Sequence, residues 1–160
     1  MSCRRVAAAA LAALVAAACS AGPDAGGRLL VQRTTRGAGR LLDDPGRATY
    51  CRGESLLTVV AVGRAWSGGL AMHVTLPVRA AVTLKVQRSL GGYGTATAAF
   101  RPVNGVARLG VGGTITLAPS SRVDGAFEVT VTDSVPPDAV FRGRLSRIVY
   151  SSPSGPPCRP

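Results

Sequence analysis

Apolar and polar positions alternate with a period of two along most of the chain. Leu56-Leu-Thr-Val-Val-Ala-Val62 is a β-branched run. Leu70, Met72, Val74 and Leu76 alternate with Ala71, His73 and Thr75, and Val82, Leu84 and Val86 with Thr83, Lys85 and Gln87. Ile115 and Leu117 alternate with threonines, and Phe127, Val129 and Val131 with Glu128, Thr130 and Thr132. A period of two puts one face of each segment in a core and the other in water, the mark of half-buried antiparallel strands. Gly68-Gly69, Gly91-Gly92, Asn104-Gly105, Ser120-Ser121 and Asp124-Gly125 punctuate these segments, and Asp124-Gly125 also fits a bulge. Val135-Pro-Pro137 breaks the ladder before a last strand from Val140 to Tyr150, because proline cannot donate to a sheet.

Earlier in the chain the pattern is weaker. Arg28-Leu-Leu-Val-Gln-Arg33 fits an edge strand that Gly37-Ala-Gly39 would stop, and Asp43-Asp44-Pro45-Gly46 fits a turn. No window after the N-terminal segment has a helical period. Gly94-Thr-Ala-Thr-Ala-Ala99 before Val103-Asn-Gly105 resembles Gly113-Thr-Ile-Thr-Leu-Ala118 before Val123-Asp-Gly125, as consecutive hairpins would. The expectation is one all-β domain, an antiparallel β-sandwich of about seven to nine strands, with a small β-barrel as the alternative. Cys51 and Trp66 have a tolerable immunoglobulin spacing, but Cys158 lies too far on and no tyrosine stands two residues before it. The likeness is therefore immunoglobulin-like in architecture only.

The first residues follow other rules. Met1-Ser-Cys-Arg4-Arg5 precedes thirteen apolar residues, Val6 to Ala18, and then Cys19-Ser20-Ala21-Gly22. Two positive charges, a short apolar run and a small-residue exit form a secretory signal peptide, too short to serve as a spanning helix. Arg4-Arg5 matches a twin-arginine signal only weakly. Ala16-Ala17-Ala18-Cys19 resembles the processing signal of bacterial lipoproteins, with alanine where that pattern has leucine and with Leu14 close by. The resemblance covers residues 1–22. It implies cleavage before Cys19 and acylation of its thiol, palmitate among the chains, with attachment to a bacterial membrane at the cell envelope. Ordinary cleavage after Ala18 or Ala21 would leave a soluble periplasmic or secreted protein instead. The domain plan is a signal peptide over 1–18, a tether over 19–27, and a folded domain over 28–160 ending in an extended proline-rich tail, 151–160.

Removing residues 1–18 leaves 142 residues, a natural size for one domain. Seventeen basic residues then face eight acidic ones, and Lys85 is the only lysine. Abundant Arg, Ala, Gly, Val and Pro reflect GC-rich coding, which discounts the charge as a functional signal. Near a membrane, Arg28, Arg33, Arg36, Arg40, Arg47 and Arg52 would still be drawn to anionic head groups, each by about 1 kcal/mol at close range. Specific nucleic-acid binding is not expected, since the arginines are spread out and not interleaved with aromatics. With Cys3 removed and Cys19 acylated, Cys51 and Cys158 remain as one pair in an exported domain, which predicts a disulfide.

Candidate chemistry is sparse. His73 is the only histidine and falls on the outward face of its strand. No Gly-x-Ser-x-Gly elbow supplies a nucleophile, and the His and Cys counts exclude multi-ligand metal sites built on them. Asp43-Asp44 matches no calcium-loop spacing. Gly91-Gly-Tyr-Gly94 and Gly110-Val-Gly-Gly113 lack a following helix and a P-loop lysine, so they read as turns or bulges. The candidate loop contact is Arg64 with Trp66, a tryptophan that equally fits a cap on the core. The expectation is an envelope domain with a binding or structural role, no catalysis, no cofactor and no metal. Its partners would be the membrane through Cys19 and a protein or envelope polymer. A carrier of an apolar ligand and an envelope hydrolase are the alternatives.

Overall fold

The computed structural model describes residues 27–34, 39–132 and 139–152. Its strands are β1 (Arg28–Arg33), β2 (Gly39–Cys51), β3 (Leu56–Val62), β4 (Trp66–His73), β5 (Val82–Val86), β6 (Thr95–Pro102), β7 (Arg108–Leu117), β8 (Val123–Val131), β9 (Ala139–Ile148) and β10 (Tyr150–Ser151). Most of the alternation read from the sequence is strand, although β4 stops at His73 and leaves Val74 and Leu76 outside it, and the described residues are all-β apart from one 3-10 turn. The expected sandwich is corrected. Nine strands close into one mixed barrel, with β10 added outside the closure.

Around the barrel the order β1-β2-β3-β4-β6-β7-β8-β9 returns to β1, every pair antiparallel. Strand β5 wedges between β6 and β7, parallel to the first and antiparallel to the second. β1 is therefore no edge strand, since β2 and β9 flank it on both sides. A closed barrel leaves no such edge.

Two long strands make closure possible by changing partners. Pro45 is the last β2 residue to pair with β1, and Gly46 the first to pair with β3. The expected turn at Asp43–Gly46 is thus a correction, because these residues continue one strand. Proline fits where the ladder changes hands, and Gly46 leaves room for the Ile148 side chain. Asp43 is held in the strand by Arg28 Nε and Arg40 Nη1, each at 2.8 Å. β7 pairs with β6 through Leu109 and with β5 from Thr114 onward. Its register shifts between Gly110 and Gly112, and Gly113 has φ 112°, a value that disfavours any other residue. The Gly110–Gly113 segment is a bulge within a strand, one of the two readings its sequence allowed. The Asp124-Gly125 bulge is also present, as a register shift at the start of β8.

Apolar side chains fill the interior. Phe100, Phe141, Leu29, Leu57, Leu70, Met72, Leu84, Ile115 and Ile148 are among the most deeply buried, and no polar or charged residue is buried with them among the described residues. Phe100 lies 5.2 Å from Phe141 and 6.0 Å from Phe127, centroid to centroid. Gly68-Gly69 does not punctuate strands as expected. Both residues lie inside β4, where a Cβ on Gly68 would stand 2.8 Å from Phe100 Cδ1.

The two rims follow from the pairing. Gly27, the 3-10 turn Arg52–Glu54, Val74, Gly94, Ser120 and Arg147 lie at the rim where β1 begins, called proximal here. Residues 63–65 and 103–105 lie at the opposite, distal rim, joined by Val103 N–H donating to Ala65 O at 2.9 Å.

A Cβ on Gly143 would collide with the Phe127 ring and Leu30 O, whereas one on Gly92 would meet nothing within 4 Å. Gly143→Ala is expected to lower unfolding free energy by about 1–3 kcal/mol, and Gly92→Ala to leave it within about 1 kcal/mol, as read by urea denaturation.

Candidate functional site at the distal rim

Trp66 opens β4 directly beside the hairpin turn 63–65. Gly63 N–H donates to Trp66 O at 2.8 Å, closing that turn. The Trp66 ring meets Phe141 edge-on at 6.0 Å and 79°, and it packs against the core from a half-buried position. Of its two sequence readings, the core cap is the one the geometry matches. Arg64, the other candidate contact, is exposed in the adjoining turn.

A residue the sequence reading missed completes the cap. The Arg108 guanidinium carbon lies 5.5 Å from the Trp66 ring centroid, within cation–π range. Arg108 stands 42 positions from Trp66 and reaches it because β4 pairs with β6 and β6 turns into β7. No local spacing encodes that meeting. Beside the capped mouth, Val62 at the end of β3 and Val103 and Val106 between β6 and β7 are exposed, Val106 to 84%. The distal rim thus combines exposed valines with Arg64 and with Arg101, whose Nε donates to Gly105 O at 3.2 Å.

The other candidate groups are dispersed. His73 ends β4 at the proximal rim, half-buried, its Nδ1 3.1 Å from Glu54 O. Asp43 binds two arginines, Glu128 pairs with Arg142, and Asp124 accepts from Ser120 Oγ at 2.9 Å and from Arg147 N–H at 2.7 Å. These carboxylates thus fasten strands and turns. Among the described residues no group of three or more His, Cys, Asp or Glu side chains could hold a metal ion. Cys51 is buried at the end of β2. Cys19 and Cys158 lie outside the described residues, as do Val135-Pro-Pro137 and most of the expected tail.

The wall also has a polarity. Lys85, Glu128, Arg142 and Arg144 are exposed at mid-strand positions, and apolar side chains face inward. A transmembrane barrel has the opposite arrangement, an apolar outer band around a polar lumen. Among the described residues no helix is long and apolar enough to cross a membrane. Comparison with protein-family models, with curated proteins and with solved structures finds no match to this chain.

If Trp66 caps the core, its truncation should act on stability. Trp66→Ala is expected to cost about 2–4 kcal/mol, Trp66→Phe about 1 kcal/mol, and Arg64→Ala less than about 0.5 kcal/mol, by chemical denaturation. A near-neutral Trp66→Ala would return the residue to the role of a surface contact.

Proposed function

We propose that the chain is an exported bacterial lipoprotein: a β-barrel held at the cell envelope by acyl chains on Cys19, with a binding or structural role rather than catalysis. The observation that carries this reading is where the barrel begins. β1 starts at Arg28 on the proximal rim, and just before it Gly27 O accepts from Gly46 N–H at 3.0 Å. Cys19 is only eight residues earlier in sequence, so an acylated Cys19 would be tied to that rim and the distal turns would project from it. The contact role foreseen for Arg64 and Trp66 then passes to Arg64 and its exposed neighbours Val62, Val103 and Val106. Trp66 itself serves the core.

The C-terminal side of the chain supports a staple at the same rim. β10 runs parallel to β2, and Ser152 Oγ donates to Tyr50 O at 3.1 Å, next to Cys51. Cys158 is six residues further on, a reach of at most about 22 Å for an extended chain. A Cys51–Cys158 bridge would close a loop of 107 residues. On chain-entropy grounds such a loop is worth about 4–5 kcal/mol.

Intact mass of the processed protein tests the anchor. The expected chain starts at Cys19, carries acyl mass, and partitions with membranes, while Cys19→Ala abolishes both. An unacylated chain beginning at Cys19 or Gly22 would overturn the anchor. The bridge is tested separately. The protein should gain the mass of two hydrogen atoms on reduction, and Cys158→Ser should lower stability by about 4–5 kcal/mol. A free thiol at Cys158 in the oxidised protein would overturn that pairing.

A further inference from the structure

We propose that the proximal rim is a docking surface for an anionic lipid bilayer, so that the barrel stands on the membrane with its distal rim outward. The proposal rests on acylation of Cys19 for its choice of membrane, and on the rim's own residues for the contact. Arg52, Arg79, Arg122 and Arg147 are exposed there. Val78 pairs with Ser120, which brings the turn carrying Arg79 beside the turn carrying Arg122. Ser120 and Asp124 fix the neighbourhood. Arg122 N–H donates to Ser120 Oγ at 3.0 Å, Ser120 Oγ to Asp124 Oδ2, and Arg147 N–H to Asp124 Oδ1. Three arginines are thereby set along one arc of the rim. The acidic groups near them are Glu54, exposed, and Asp124, already engaged in those bonds.

Two apolar side chains are exposed at the same end. Tyr93 is 65% exposed beside Gly94, whose N–H donates to His73 O, and Val149 is 46% exposed after β9. A tyrosine with an apolar residue among arginines suits the headgroup layer. The phosphates attract the guanidinium groups, and the ring lies at the boundary of the acyl region. Charge alone does not choose this rim, because Arg64 and Arg101 occupy the other. The tether chooses it. Eight residues from Cys19 to Gly27 span at most about 29 Å when extended, and they begin at the proximal rim.

The only tryptophan, Trp66, is at the distal rim, which makes it a built-in reporter. The processed protein is bound to vesicles of brominated phosphatidylcholine, with or without phosphatidylglycerol. Trp66 fluorescence should remain unquenched. In Trp66→Phe combined with Tyr93→Trp, the introduced tryptophan should be quenched on vesicles containing phosphatidylglycerol, and less in high salt. Adding Arg79→Gln and Arg122→Gln should lower the quenched-to-unquenched ratio about tenfold. The charge-matched pair Arg64→Gln and Arg144→Gln should change it about twofold or less. Quenching of Trp66 in the wild-type protein, indifference to phosphatidylglycerol, or equal effects of the two arginine pairs would each overturn the proposal. The wild-type measurement stands even if the tryptophan exchange unfolds the barrel. Failure of the anchor reads out differently, as missing acyl mass and loss of binding to pure phosphatidylcholine vesicles.

Discussion

Phe100, Phe127 and Phe141 meet ring to ring inside the barrel, and the wall can close around them only where neighbouring side chains are missing. Gly143 lies under the Phe127 ring and Gly68 beside Phe100. A Cβ at either position would push a ring toward a wall that has no slack, since interiors pack at crystal-like density. The chain has seven aromatic residues, and four of them, the three phenylalanines and Trp66, form this cluster. The few aromatic residues are therefore concentrated at one place, and glycines around them complete the fit.

The same economy explains closure. A two-layer sandwich needs turns that divide the chain into separate sheets. Here β2 and β7 run on past the points where turns were expected, and each passes from one neighbour to another. Pro45 and Gly46 mark the first change of partner, and the Gly110–Gly113 bulge marks the second. Glycines and bulges of this kind add the local bend that a closing sheet requires. Once both strands bend, β1 finds β9 and the nine-strand wall closes, with only the two-residue β10 outside it.

Much of this was legible in the alternation of side chains. Within the described residues most of the alternating segments are strands, because burial of one face leaves a period of two that no other element shares, although β4 stops at His73, short of Val74 and Leu76. Partner choice was not legible. Asp43-Asp44-Pro45-Gly46 has turn chemistry, yet Arg28 and Arg40 neutralise Asp43 within a strand. Gly68-Gly69 has the look of a break, yet a ring from a strand further along the chain needs that space. Nor did any spacing connect Arg108 with Trp66. Each of these outcomes depends on which strands become neighbours, and short windows do not carry that information. Trp66 was legible only as a choice between contact and cap, and Phe141 resolves it.

The polarity of the wall then bears on how such a barrel could work. Its interior is occupied by the phenylalanine cluster and aliphatic side chains, and its outer wall carries charges paired across strands, such as Glu128 with Arg142. Exposed pairs of this kind add little stability. They keep the wall wet and leave the rims as the places where apolar side chains reach solvent. Val62, Val103 and Val106 do so at one rim, Tyr93 and Val149 at the other. A single anchor at the N-terminus would distinguish the two rims that the fold itself treats alike. With an acylated tether at the proximal rim, one set of exposed side chains would face a bilayer and the other would face away from it. A tether moved to the distal rim would exchange those roles without changing any strand pairing. The direction of an anchored barrel would thus follow from the rim at which β1 starts, and the strands only hold the two rims apart.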